Sequence, residues 1–224
     1  RARKIAVLNK EAAAVASDLA PQCQVVILPN PGPVQQRDHD PEDPSRCAPI
    51  VVFAGSVSYR KGVDTLLDAW DLVLEKCPSA QLRIFGPATD PELVNRAGPC
   101  YEGRASPSTV LSALGQARVA VLPSRAEAMP MFVIEAMAMG RPVIVTDVGA
   151  MAEQAAGNGM VVGTGDAIGL AEAITIYMTT PARASHDGLA SARKYRKEFN
   201  LSALENSLLR FYDAEHLTTT LGKL

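Results

Sequence analysis

Short apolar runs recur along this chain, and most are followed by a stretch with helical spacing. KIAVLN (4–9), KEAAAVASDLA (10–20) and QVVILPN (24–30) read as strand, helix and strand. IVVFAG (50–55) is a continuous apolar run of the kind found in strands covered on both faces. GVDTLLDAWDLVLEKCP (62–78) then places Val63, Leu66, Leu67, Trp70, Val73 and Leu74 on one helical face and stops at Pro78. Further strands are expected at 81–86, 100–103, 119–123, 142–146 and 159–162, with a polar connection or short helix over 87–99. SPSTVLSALGQA (106–117) and FVIEAMAM (132–139) read as helices, the second ending at Gly140, the left-handed residue favoured just past a helix end. DAIGLAEAITIYM (166–178) has Asp166 as its expected cap and is broken by Pro181, ASHDGLASARKYRKEF (184–199) continues helical, and Ser202 with Glu205 forms a capping box for a last helix. Strands alternating with helices predict an α/β fold with a doubly wound parallel sheet.

Two acids interrupt an apolar setting: Glu127 in the loop after the 119–123 run, and Glu135 about a turn into the next helix. In an open parallel sheet the crevice outside the carboxyl ends of the strands is where ligands bind, and a helix start there suits a phosphate. A second turn of interest, GSVSYRKG (55–62), also joins a strand to a helix. It is not a Walker A loop, because Lys61 is followed by Gly62 and Val63. GTGDAIG (163–169) imitates a dinucleotide fingerprint with one residue too many and no ribose-binding acid to follow, so it reads as loop and cap.

The stretch PSRAEAMPMFVIEAMAMGRPVIVTDVGAMAE (123–153) resembles the Glu-x7-Glu segment of the retaining GT-B glycosyltransferases of the glycogen- and sucrose-synthase-like group, glycosyltransferase family 4, and the resemblance extends over nearly all of the chain. It implies a Rossmann-like fold, the C-terminal, donor-binding half of GT-B. Residues 1–33 would be a remnant of the N-terminal domain, 34–49 a linker, 50–180 the nucleotide-sugar-binding domain and 181–224 C-terminal helices. The implied reaction moves a sugar from a UDP-, GDP- or ADP-sugar to a hydroxyl acceptor (glycan, lipid-linked or small molecule) with retention and without a cofactor or metal. By the same resemblance Glu135 accepts hydrogen bonds from the ribose hydroxyls, Glu127 is the catalytic residue near the transferred sugar and its hydroxyls, and the amides of Met131 and Phe132 hold the distal phosphate. Gly55 and Lys61 match the family's phosphate-neutralising turn, but Ser56 stands where relatives carry arginine, and Arg60 is the candidate to replace that charge. Gly149 and Glu153 are expected to shape the pocket wall. A non-catalytic nucleotide-sugar-binding homologue and a GT-B-fold epimerase are the alternatives.

Bulk properties narrow this picture further. A net charge of −2 and a pI of about 6.0 give no basic footprint for nucleic acid. No apolar run approaches the length of a membrane span, so any peripheral membrane association is expected to run through the missing N-terminal lobe. Cys23, Cys47, Cys77 and Cys100 are scattered, as in free thiols of a reducing cytoplasm, the expected location. Residues 31–49 are rich in Pro, Asp and Arg, and the only Asp-x-Asp, Asp38-His39-Asp40, lies there rather than after a buried strand. His186 and His216 fall on polar stretches and are expected to be solvated. Beginning at Arg1, the chain reads as part of a longer protein, one expected to bind nucleotide but to turn over poorly alone.

Overall fold

The computed structural model describes residues 3–33 and 41–212; Asp38-His39-Asp40 and His216 lie outside them. A parallel two-stranded sheet comes first, from β1 (Lys4–Val7), α1 (Lys10–Leu19) and β2 (Gln24–Ile27). The main unit follows as β3 (Ile50–Ala54), α2 (Val63–Lys76), β4 (Gln81–Phe85), α3 (Pro91–Ala97), β5 (Tyr101–Gly103) and α4 (Pro107–Gln116). It continues through β6 (Val119–Leu122), α5 (Met131–Ala138), β7 (Val143–Thr146), α6 (Met151–Ala155), β8 (Gly159–Val162) and α7 (Ala167–Thr179). Two helices, α8 (Pro181–Glu198) and α9 (Leu201–Tyr212), complete the described chain.

The six strands are all parallel, in the order β5-β4-β3-β6-β7-β8. The chain therefore winds outward from β3 in one direction and from β6 in the other. β3 and β6 are neighbours, so the winding reverses between them, and a crevice opens at their carboxyl ends. The central strands are covered on both faces: every residue of β6 and β7 is buried, as are Ile50 to Phe53 of β3. That is why these strands read as unbroken Val, Ile and Leu runs rather than as alternation.

Local chemistry sets the helix boundaries. Pro107 occupies the first turn of α4 behind a Ser106 cap whose Oγ accepts from Thr109 N at 3.1 Å, and Asp166 accepts from Gly169 N at 2.9 Å. Gly140 takes the left-handed conformation at φ 65°. On α2 the expected stripe is buried except for Leu74, 37% exposed at the edge of the arc. The last helix starts earlier than the Ser202 box predicts. Phe199 is buried and ends α8, so the next polar residue, Asn200, caps α9 by accepting from Ala203 N at 2.8 Å. The 87–99 segment forms α3 behind an Asp90 cap, whereas α6 has no counterpart in the pattern, its five residues being too few to show a period.

The Pro- and Asp-rich segment packs onto the sheet's amino-terminal end from residue 41 onward. Pro44 and Cys47 are buried there, and Ser185 on α8 donates to Asp43 at 3.1 Å. Arg141 is the fastening: wholly buried, it donates to Met139 O at 2.8 Å, Ala117 O at 2.7 Å, Cys47 Sγ at 3.0 Å and the Glu42 carbonyl.

Candidate functional site

Two loops meet at the reversal point, one after β3 and one after β6. The first forms a 3-10 turn over Tyr59–Lys61, capped by Ser58, and passes into α2 through Gly62 in the left-handed region. A side chain at Gly62 would place its Cβ 1.9 Å from the Pro123 carbonyl oxygen, so the turn is pressed against the exit of β6. The loops are also cross-bonded. Arg125 N donates to Arg60 O at 2.8 Å, Arg60 Nη1 donates to Ala126 O at 3.1 Å, and the Arg125 guanidinium grips both oxygens of Asp64 at 2.7 and 2.6 Å. Burial alone would raise the Asp64 carboxyl, but the Arg125 fork outweighs it and holds the group below the usual range. This clamp ties the start of α2 to the loop after β6.

Lys61 and Glu127 form an ion pair inside the crevice, with side chains only 15% and 10% exposed. Ser124 Oγ donates to the same Glu127 oxygen at 2.9 Å, and Arg60 stands 4.0 Å from it. Arg60 is thus turned toward the β6 loop. The neighbouring Ser56 hydroxyl lies 3.3 Å from that of Ser58.

A cavity of about 400 Å³ opens on the other side of the β3 exit, lined among others by Gly55, Ser56, Gly86, Phe132 and Glu135 but by neither member of this pair. Glu135 projects from the second turn of α5, whose remaining side chains are mostly buried and anchor the helix. Its carboxylate is partly buried and has no hydrogen-bond or ion-pair partner among the described residues, and burial raises its proton affinity above that of an ordinary glutamate. The start of α5 carries no side-chain cap, since Pro130 occupies that position, so the amides of Met131 and Phe132 are not claimed by a capping side chain. Lys61 and Glu135 share one rim: the Lys61 aliphatic chain packs beside Gly55, within 3.6 Å of where a Gly55 Cβ would lie, and Gly55 and Glu135 line the same cavity.

Arg104 also lines the cavity, on the loop between β5 and α4. Sequence reasoning passed over it, because a lone arginine after a three-residue strand carries no pattern; only the fold brings it to the cavity that Glu135 lines. Gly149 presses on the Glu127 loop, where a Cβ would come within 2.1 Å of the Glu127 carbonyl oxygen. Glu153, expected nearby, instead pairs with Lys10 at 2.9 Å and lines a separate cavity. His186 is exposed and contacts Asp187 at 2.8 Å, Cys47, Cys77 and Cys100 are free thiols, and the 163–169 loop serves as the cap of α7. No helix among the described residues is long and apolar enough to cross a membrane.

Residues 48–179, more than half of the chain, match the sequence profile of the family described as "Glycosyl transferases group 1". The chain belongs to that family. Among relatives of this group 1 chain, a glycogen synthase of Mycobacterium tuberculosis is 24% identical over 172 residues, covering 72% of this chain and 42% of the relative. A phosphatidyl-myo-inositol mannosyltransferase of Mycobacterium leprae is 28% identical over 177 residues, covering 75% of this chain and 47% of the relative. Among solved structures, S. aureus TarM, crystallised with fondaparinux, alpha-GlcNAc-glycerol and UDP, superposes with a TM-score of 0.77 at 15% identity, covering 94% of this chain and 44% of TarM. These matches place the parallel sheet among GT-B glycosyltransferases, and the chain spans less than half of each of these proteins.

Proposed function

We propose that this chain is the donor-binding part of a retaining glycosyltransferase of family 4, gripping a nucleotide-diphosphate sugar in the crevice between the β3 and β6 loops. The observation that carries the reading is Glu135: a partly buried carboxylate without a partner among the described residues, on the wall of a cavity of about 400 Å³ formed by the exits of β3 and β4, the loop after β5, and the starts of α4 and α5. A carboxylate accepts several hydrogen bonds and donates none, so the natural complement is a pair of ribose hydroxyls. Lys61 and the amides of Met131 and Phe132 lie toward the neighbouring loop, where the diphosphate of the same nucleotide would extend.

Transfer breaks the bond between the anomeric carbon and the distal phosphate oxygen, leaving negative charge on the pyrophosphate. Fixed positive ends aimed at that charge lower the barrier; Lys61 and the α5 amides supply them, and the plan calls for no metal or other cofactor. Glu127, held by Ser124 and Lys61, is the acid placed to meet the transferred sugar. Gly55 and Ser56 form the opposite wall, and Arg104 extends it. Incoming phosphates would compete with Glu127 for Lys61, so donor binding frees Glu127 as it fills the site. The acceptor hydroxyl, on a glycan, a lipid-linked or a small molecule, would come from an N-terminal lobe facing this crevice.

The second reading, a nucleotide-sugar binder that does not catalyse, draws on Ser56, an uncharged residue at the turn, and on Arg60, which is engaged with Ala126 and Glu127. A thermal-shift panel of UDP, GDP and ADP tests what both readings share. One of the three, at 100 times its Kd, stabilises the chain by about 2.7 kcal/mol. Absence of a shift with all three at millimolar concentration overturns the proposal. Sugar transfer by the full-length enzyme that survives Glu127→Gln unchanged would decide against Glu127 as the acid at the sugar.

A further inference from the structure

The loop that carries Glu127 is held from outside the six-stranded sheet. Asn9, at the exit of β1, donates from Nδ2 to Ala128 O at 2.9 Å, and Asn30, beyond β2, donates from Nδ2 to Met129 O at 3.0 Å. The Asn30 backbone amide also reaches the Met129 sulfur at 3.2 Å. Two consecutive carbonyls, one and two residues past Glu127, are thus taken by side chains of the β1–β2 unit. From the loop after β7, Ala150 N donates to the same Ala128 oxygen at 2.9 Å, and Gly149 lies against the Glu127 carbonyl.

Residue type argues that this strap is more than a by-product of helix capping. Asn9 caps α1, its Oδ1 accepting from Ala12 N at 2.8 Å. Aspartate and serine cap a helix as well. Ionised aspartate has no donor, however, and serine has a single polar atom, whereas the amide puts an acceptor and a donor on separate atoms. Asn9 is only 7% exposed, so its second group needs a partner inside the fold, and Ala128 O is that partner.

The strap bears on the acid rather than on the nucleotide. α5 is anchored by its own buried side chains, while Glu127 stands on the loop, with its carboxylate paired to Lys61. A misplacement of about 1 Å near a reacting centre costs on the order of 10²-fold in rate. We propose that Asn9 and Asn30 are positioning residues that hold Glu127 at the transferred sugar, so that the β1–β2 unit sets the geometry of a site on the neighbouring sheet. This rests on the proposed place of Glu127 at that sugar. Lys10 joins the same two units at 2.9 Å, but through Glu153 of α6 rather than through the loop, and so serves as the control.

The test is calorimetric titration of the chain with UDP, GDP and ADP, each beside its sugar nucleotide (UDP-glucose, GDP-mannose, ADP-glucose). The readout is the ratio of the two Kd values for each base. Asn9→Ser, which keeps the α1 cap, and Asn30→Ala should bind the nucleoside diphosphate like the parent. Both should bind the sugar nucleotide about tenfold more weakly, the size of one hydrogen bond to a charged group. Glu127→Gln should show the same split, and adding Asn9→Ser to it should weaken binding no further, since both act through one carboxylate. Lys10→Ala should change neither constant. Equal losses for nucleotide and sugar nucleotide, additive effects in the double variant, a Lys10→Ala effect as large as that of Asn9→Ser, or an Asn9→Ser chain that does not fold would each make the asparagines scaffold and overturn the proposal. Parent-like ratios in Asn9→Ser and Asn30→Ala beside a weakened Glu127→Gln would overturn it alone. A parent-like ratio in Glu127→Gln, or no binding of any probe, would overturn the proposed function with it.

Discussion

Arg141 and Glu135 lie on α5 or just past its end, and the fold treats their charges in opposite ways. Arg141, at the amino-terminal end of the sheet, is fully buried, yet each of its nitrogens donates to a carbonyl or to the Cys47 sulfur. Burial still pulls its proton affinity below that of a free guanidinium. Glu135, at the carboxyl-terminal end, is less buried but has nothing to bond to among the described residues. A polar group that the fold has satisfied is part of the structure. One left open beside a cavity is available to a ligand, and the difference separates a scaffold end of this sheet from a working end.

The contrast predicts different losses at the two ends. Arg141→Met should be the most damaging change, because it strands the carbonyls of Ala117 and Glu42 and unfastens the 41–47 segment. A loss of about 3 kcal/mol is expected, seen as a fall of roughly 6–12 °C in melting temperature for a chain of this size. Nucleotide affinity of the folded fraction should not change. A stable Arg141→Met chain would erase the distinction between the two ends.

Lys61→Ala should act on binding in proportion to phosphate charge. A nucleoside diphosphate should bind about tenfold more weakly, a difference of ~1.4 kcal/mol, while the bare nucleoside is unaffected. Equal loss for both would place Lys61 away from the phosphates.

The smallest expected effect is on pH. Burial raises the Glu135 carboxyl above its ordinary value of 4.5. Stability gained by holding that proton is complete below 4.5 and is lost as pH rises through the raised folded value. Hydrogen bonding to ribose needs the ionised form, so nucleotide affinity should weaken as pH falls through the same window. Glu135→Gln should bind weakly with a flatter profile, and an unchanged slope in that variant would remove Glu135 from the titration.

Much of the scaffold was legible because its central strands are covered on both faces and so are written in unbroken Val, Ile and Leu. Caps were legible where one residue decides the geometry, as Asp166 does, and misplaced where two candidates stood close together, as Asn200 and Ser202 do. The five residues of α6 fell below the length at which a period shows. At the site, Glu127, Lys61 and Glu135 stood out by residue type and setting. The ion pair between Lys61 and Glu127 joins residues far apart in sequence and appears only when β3 and β6 become neighbours. Arg104 was invisible for the same reason, since it matters through the cavity it lines rather than through its neighbours along the chain.

Titration calorimetry of wild type and Glu135→Ala, with whichever of UDP, GDP or ADP stabilises the chain, tests the central claim most directly. Loss of hydrogen bonds to a charged acceptor, worth roughly 1.5–3 kcal/mol, predicts about 10- to 100-fold weaker binding with no fall in melting temperature. Equal affinity in the two chains, or a Glu135→Ala chain that no longer folds, would show that this carboxylate belongs to the scaffold and that the crevice was not built around a nucleotide.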